Sequence, residues 1–512
     1  MVECRQAEAS KGDSSTVTWR VRVLALFGLF PGAALVLALA ILAVLVRLPS
    51  HFWLDETMSY WTACRGLEQV LIRCTLWPHP PLYSMLFLTL RSMGAASEWI
   101  YRLPSFLAVG AATLLLFRMS RRLFGADAAW MSVAAFVSID AVRFAACDAR
   151  PYGLALLLSV ISSDLLLRFL DRPGYRLAAL YGLTGAALLH LQLLFGALLL
   201  AHGLYLIYRT VQRERIRLAY AVTGVAVLIA VASPVAIQYL RFTENPASHS
   251  FSPLPSPSDL ATSYLPDTWL YVLGTVVILA LILPQMEWKA IYRPYTAVFV
   301  LLWAITPPTA LFIISRLTPL HLFVPRYFLS YSPGLAMCFG VILTSFRPRV
   351  VRSAVLSVMA LFVALSIGRP TSFRHTAGLG DWGSAAEFIN RNVARDHAPV
   401  LIRSQLIESD FMPIEPVEDN GNFPQLAYYP MRAQLVPLQN TFTAAQMSSI
   451  HAFLESATTR STGRFLVVSF TGPSPMAPML FYIIGQMGPT CTVTRLADFD
   501  GVAITEFRFP PR

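Results

Sequence analysis

Two adjacent carboxylates, Asp55 and Glu56, stand in the segment His51-Phe52-Trp53-Leu54-Asp55-Glu56-Thr57, directly after a long apolar run. A third acid, Asp148, precedes a guanidinium by two positions in Cys147-Asp148-Ala149-Arg150-Pro151-Tyr152, again between apolar runs. Carboxylates so placed can take a proton from a hydroxyl, and neighbouring cations, or a divalent metal held by the acids, can stabilise an anion as it leaves. Other polar groups stand at the ends of apolar runs: His79 in His79-Pro80-Pro81, Arg102, His190 and the pair Arg326-Tyr327. Each has an ordinary explanation. Asp55 and Glu56 suit the first turn of a helix, Asp148 and Arg150 suit a local ion pair, and a lone His, a snorkelling Arg or an interfacial Tyr is common in membrane proteins. Their convergence on the outer mouths of separate spans is what points to chemistry.

The elements that must position these groups follow from composition. Of 512 residues, 55% are hydrophobic and only 13% charged, against about 25% charged in soluble domains. The mean hydropathy is +0.56, which excludes one ordinary water-soluble fold. The formal charge of +11 comes almost wholly from Arg. No basic run is interleaved with aromatics as a nucleic-acid groove requires, so nucleic acid is not an expected partner. The six cysteines, Cys4, Cys64, Cys74, Cys147, Cys338 and Cys491, show no CxxC spacing and no zinc-type Cys/His pairing. On an oxidising side Cys64 and Cys74 could form a bridge, although the simpler reading is apolar filler.

The run Leu24 to Val46 is too long for a signal-peptide core and is expected to remain as an anchor. Further runs near 103–117, 127–146, 151–167, 177–191, 192–208, 218–240, 268–284, 294–315, 327–345 and 351–367 bring the expected number of spans to about eleven. Alternate connections carry Arg118, Arg121 and Arg122; Arg168, Arg172 and Arg176; Arg209, Arg213, Arg215 and Arg217; Lys289 and Arg293; and Arg347, Arg349 and Arg352. With the N-terminal tail these make roughly 19 cations against roughly 10 opposite, so this side is read as cytoplasmic. The loops 47–102 and 241–267, and everything after Gly368, then lie outside. In the first loop, Thr57 to Thr75 and Leu82 to Met93 have helical periodicity but cannot span, and they are read as interfacial helices. The second, rich in Pro and Ser, reads as a mobile flap. From Leu379 the chain changes to a small α/β unit, with helices at 381–394 and 444–456 and strands at 400–403, 465–470, 491–495 and 502–509. The expected organisation is a cytoplasmic tail (1–23), a transmembrane catalytic unit (24–368) and an outer α/β domain (369–512). The fold class is thus an all-α polytopic membrane protein with a small C-terminal α/β extracytoplasmic domain.

An outer carboxylate beside cations, held at the edge of lipid, suits transfer of a group carried on a lipid phosphate. The donor's apolar tail would keep the reacting bond at the membrane surface. The same residues resemble the bacterial GT-C glycosyltransferases of the glycosyltransferase family 39 type, near the protein O-mannosyltransferases and the lipid A aminoarabinose transferase. The resemblance runs from the first span to about residue 400. It rests on Leu54-Asp55-Glu56-Thr57-Met58-Ser59, His79-Pro80-Pro81-Leu82-Tyr83, Arg102-Leu103-Pro104-Ser105, Arg121-Arg122-Leu123-Phe124-Gly125, Asp148-Ala149-Arg150-Pro151-Tyr152, Pro325-Arg326-Tyr327 and Asp381-Trp382. It implies a GT-C fold, a polyprenyl-phosphate sugar donor, a lipid, glycan or protein acceptor, and inversion at the anomeric carbon on the periplasmic face of a bacterial inner membrane. It further implies that Asp55, with Glu56 beside it, is the catalytic base and that Asp148 helps form the site and is the candidate ligand of a divalent metal. Arg150 and Arg326 are implied near the lipid phosphate, with His79 and His190 as neighbours. Many relatives carry Glu where this chain has Asp148.

A transporter or flippase is the rival from another class, but it is expected to place its ionisable groups near the bilayer midplane on broken helices. A catalytically inactive scaffold with a partner-binding outer domain is a third reading.

Overall fold

The computed structural model describes residues 30–76, 81–212, 218–244, 252–282, 294–346, 349–367, 380–394, 396–404, 406, 409, 421–456, 462–470, 477–488 and 490–510. The N-terminal tail, His79 and part of the cationic connections, including Arg213, Arg215, Arg217, Lys289, Arg293 and Arg347, lie outside these residues.

Helix α1 (Phe30–Leu45) leads to three short helices, α2 (Leu54–Ala63), α3 (Leu67–Leu76) and α4 (Pro81–Ser92). Next come α5 (Glu98–Phe124), α6 (Ala126–Ser138), α7 (Asp140–Ala146), α8 (Tyr152–Asp171), α9 (Tyr175–Leu191), α10 (Gly196–Val211) and α11 (Leu218–Glu244). The short α12 (Pro257–Ser263) precedes α13 (Asp267–Ile282), α14 (Pro294–Leu317), α15 (Ser332–Thr344) and α16 (Arg349–Leu365). Helices therefore stand at each of the eleven apolar runs. By length and hydropathy, α5, α8, the stretch Leu193–Val211 and α14 can each cross a membrane, and α6 with α7 makes a fifth if the bent pair is one span. Their outward side chains are apolar, with Leu114, Val211 and Leu317 at 68%, 71% and 79% exposure. An apolar exterior of this extent suits lipid and not water. The chain is a multi-pass membrane protein.

Three local departures from the sequence pattern have physical causes. The run 127–146 is not one straight helix but bends by 74° between α6 and α7. Arg143 donates to the carbonyls of Val137 (3.0 Å) and Ser138 (2.6 Å) and pairs with Asp140 at 3.0 Å. The polar groups at the bend thereby satisfy backbone that the break would otherwise leave bare. The expected interfacial helix Thr57 to Thr75 is two helices, because Gly66 between them takes φ +95°, a left-handed turn that suits glycine. The segment read as a flap contains α12, which begins at Ser256, whose hydroxyl accepts the amide of Asp259 while the Asp259 carboxylate accepts the Ser256 amide. Of the two readings of Cys64 and Cys74, the bridge is not formed: both are free thiols, Cys64 facing Arg73 Nη1 at 3.5 Å and Cys74 facing the Ser84 hydroxyl at 3.8 Å.

The tail folds as expected around one sheet. Helix α17 (Trp382–Val393) precedes β1 (Val400–Arg403), followed by α18 (Gln425–Tyr428), β2 (Leu435–Leu438), α19 (Ala444–Glu455), β3 (Arg464–Phe470), α20 (Ala477–Met487), β4 (Thr492–Phe499) and β5 (Val502–Arg508). The strand order is β2-β1-β3-β5-β4; β1 runs parallel to β2 and β3, while β5 runs antiparallel to β3 and β4. Strands β1 and β3 are buried on both faces, as central strands between helical layers must be. One face packs on Trp382, Ala386 and Ile389 of α17, the other on Ile450, Phe453 and Ile483 of α19 and α20. Strand β2 and helix α20 were not foreseen, the first being four residues interrupted by Pro437.

Candidate active site

The apolar helices bring charged groups together at their two ends. At one end Arg122 and Arg168 pair with Asp164 at 2.9 and 2.6 Å, and Arg352 pairs with Asp127. At the other end gather Asp55, Glu56, Arg102, Asp148, Arg150, Arg326 and Tyr327.

Glu56 is wholly buried, and its two oxygens take four donors. Oε1 accepts from Arg102 Nε and the Ala149 amide, both at 2.7 Å; Oε2 accepts from Arg102 Nη2 at 2.6 Å and the Trp53 amide at 3.2 Å. Arg102, one turn into α5, spends its remaining hydrogens on the carbonyls of Leu48 (2.8 Å), Ser50 (2.5 Å) and His51 (3.0 Å). A charge at this depth is tolerable only with such full pairing. The Glu56–Arg102 pair therefore locks the turn 48–53 and the 147–150 loop to the head of α5.

Asp55, one residue earlier on α2, points elsewhere. Its carboxylate is 20% exposed and lies 3.3 Å from Arg326 Nη1 and 4.0 Å from Arg150 Nη2. Arg150 also donates to the Asp55 carbonyl at 3.1 Å and to the Ser59 hydroxyl at 3.2 Å. Arg326 rises from a short turn at Pro325–Tyr327 with its guanidinium 5.4 Å from the Tyr327 ring and 5.7 Å from the Trp53 ring. Asp148 is 1% exposed; Oδ1 accepts the Trp53 indole N–H at 3.0 Å, while Oδ2 is buried and has no hydrogen-bond partner among the described residues. Burial first, and the nearby Glu56 carboxylate second, push the Asp148 carboxyl well above the ordinary carboxylate range. The two acids are thus knotted together. Trp53, two residues before Asp55, bonds Asp148, and Arg150, two residues after Asp148, bonds the Asp55 backbone.

His190, half-buried at the end of α9, faces the Val231 carbonyl at 2.8 Å and does not join this cluster; His79 lies outside the described residues. A cavity of about 170 Å³ adjoins the cluster on its Arg102 side, lined by Arg47, His51, Trp53, Glu56, Arg102 and Asp381; neither Asp55 nor Asp148 lines it. Trp53 stands in the same sequence motif as Asp55, and its indole bond gives no signal in sequence beyond that nearness.

The described donor set does not fit a divalent cation. No three His, Cys, Asp or Glu side chains converge among the described residues. Asp148 offers one unpaired oxygen, belongs to a carboxyl biased towards its neutral form, and has Arg150 close by.

This fold is shared with solved structures along nearly the whole chain. One of them is ArnT from Cupriavidus metallidurans. The structure bound to undecaprenyl phosphate has a TM-score of 0.54 and 13% identity over 92% of this chain and 97% of that one. The apo structure has a TM-score of 0.52 and 15% identity over 96% and 98%. Residues 78–237 match the family model described as dolichyl-phosphate-mannose-protein mannosyltransferase. No curated protein sequence matches the chain.

Proposed function

We propose that this chain is an inverting glycosyltransferase that moves a sugar from a polyprenyl-phosphate donor to an acceptor hydroxyl outside the cytoplasm. The observation that carries the reading is Asp55, a partly exposed carboxylate between two nearly buried guanidinium groups, where apolar helices end. The family-model match and the shared fold with a protein that binds undecaprenyl phosphate support it.

In this mechanism the donor phosphate enters between Arg150 and Arg326 and draws them from Asp55. The freed carboxylate accepts the proton of the acceptor hydroxyl as that oxygen bonds the anomeric carbon. On the opposite face the carbon–oxygen bond to phosphate breaks, and its electron pair leaves on polyprenyl phosphate, whose charge the two arginines stabilise. Glu56 holds Arg102 and the loop amides in place, and Asp148 holds Trp53 beside Arg326; both are positioning residues. No step requires a metal ion. Eleven spans then place the N-terminus in the cytoplasm and the sheet domain (369–512) outside a bacterial inner membrane. The ion-paired end at Asp127, Asp164 and Arg352 then faces the cytoplasm, in keeping with the cation bias.

The test is Asp55→Asn in purified protein, with undecaprenyl-phosphate mannose or aminoarabinose as donor and an envelope extract as acceptor. The wild type is expected to transfer sugar and release undecaprenyl phosphate. The variant should elute and melt as the wild type does but lose about 10²- to 10⁴-fold in rate, the usual contribution of a general base. Undiminished transfer would overturn the assignment.

A further inference from the structure

The segment that carries Asp55 is gripped from a second direction, by the sheet domain. Phe52 is fully buried beneath the Arg102 guanidinium, 5.3 Å away. Its backbone amide donates to the Tyr429 hydroxyl at 2.7 Å, and that hydroxyl donates in turn to Glu98 Oε1 at 2.9 Å. The Tyr428 ring lies 4.7 Å from both Phe52 and Tyr60. His51 Nδ1 meets Asp381 Oδ1 at 2.7 Å. Gly383 abuts the His51 ring so closely that a Cβ there would sit 2.4 Å from His51 Cγ. Farther along α2, Leu406 and Ala427 close over Met58 and Trp61.

These contacts fall on residues 51–61, the stretch bearing the acids, and not on a remote surface of the bundle. The Tyr429 hydroxyl is the more telling of them. It sits between the backbone that enters α2 and the acid that opens α5, so it fixes the spacing of the two helices whose heads the Glu56–Arg102 pair joins.

We infer that Tyr429 and Asp381 are positioning residues for Asp55, and that the sheet domain is a working wall of the transferase site rather than a partner-binding appendage. This deepens the proposed function and rests on it. Asp55 needs placement to a fraction of an ångström against an acceptor hydroxyl, whereas the arginines need only meet a diffuse phosphate charge. Loosening the segment should therefore damage turnover more than donor binding.

The test uses the full chain in lipid nanodiscs carrying Tyr429→Phe, Asp381→Asn or both. Phe keeps the ring packing and removes only the bridging hydroxyl. Each single variant is expected to lose about tenfold in kcat, with the donor KM within twofold, since small misplacement of reacting groups has effects of this size. Undecaprenyl phosphate should still bind at wild-type stoichiometry and affinity, which shows that the lost turnover is not an inactive fraction. The double variant should lose less than the product of the singles, because both hold one segment. Wild-type kcat in Tyr429→Phe and Asp381→Asn would overturn the inference while leaving the transferase reading intact. A kcat loss matched by lost binding sites would overturn it as well, by showing a purely structural role. Absence of transfer by the wild type would overturn the transferase reading itself.

Discussion

Replacing Glu56 by Gln separates scaffold from chemistry within the acidic pair. The substitution keeps the shape of the side chain and removes its charge, leaving the Arg102 cation, 3% exposed, without a counter-ion. Breaking a buried pair by removing one partner costs about 3–5 kcal/mol. Gln can still accept two of the four bonds through its amide oxygen, and Arg102 keeps Leu48, Ser50 and His51. The lower end, about 3 kcal/mol, is therefore the expected loss, or about a hundredfold in the folded-to-unfolded ratio. The assay is the thermal midpoint in detergent, together with transfer measured well below that midpoint. Glu56→Gln should melt several degrees lower yet keep turnover within about tenfold of the wild type when folded, because it holds the site without meeting the substrate. Asp55→Asn should show the reverse pattern. A Glu56→Gln protein as stable as the wild type but devoid of activity would refute the division of roles.

Two further expectations concern the arginines and the domain junction. Arg326→Gln, which removes one of the two cations beside Asp55, should raise the donor KM by about tenfold or more, as loss of a charge-assisted contact does, while the KM for acceptor stays near the wild-type value; equal shifts in both would count against a phosphate role. The His51–Asp381 contact should make stability depend on pH. The bond to Asp381 raises the His51 pKa despite opposing burial. Burial alone would raise the Asp381 carboxyl, but bonds from His51 and Ser384 hold it at about 2. The His51 contribution is complete below its unfolded value and fades as pH rises through its folded one; that of Asp381 is complete above its unfolded value and fades only towards about pH 2. The junction is then firmest between about pH 4 and 6.5 and loosens first on the alkaline side. With side chains 40% and 35% exposed, the effect should stay below about 1 kcal/mol. Protease cleavage of the sheet domain between pH 5 and 9 reads it, and Asp381→Asn should flatten the profile.

Much of this architecture was legible in the residues. Apolar runs long enough to cross lipid announced the helices, because nothing else in the chain can satisfy backbone polar groups in hydrocarbon. The acids at 55 and 148 were legible as rim residues because both stand just beyond apolar runs. What stayed hidden depends on geometry that periodicity does not encode. Asp140 and Arg143 inside one apolar run were the trace of the α6–α7 bend, but hydropathy averages over them. Glu56 and Asp55 look equivalent as neighbours, yet adjacent helical positions point about 100° apart, so one is buried on Arg102 and the other turns to Arg326 and Arg150. His190, read as a neighbour of the site, is instead drawn to the Val231 carbonyl of α11. Tyr429 carries no sequence mark at all, since its partner Phe52 lies hundreds of residues away and is met through a backbone amide.

The turn between β4 and β5 has a consequence for how the molecule comes together. The carbonyls of Phe499 and Asp500 accept the amides of Asp381 and Gly380, so the anchor that reaches His51 is seated by a hairpin that leaves the ribosome long after it. A nascent chain lacking that hairpin can form the Glu56–Arg102 knot, but the backbone of Asp381 then lacks the carbonyl that seats it. Maturation of this end of the bundle therefore runs backwards along the polypeptide, and the turn at His51 waits for strands made long after it.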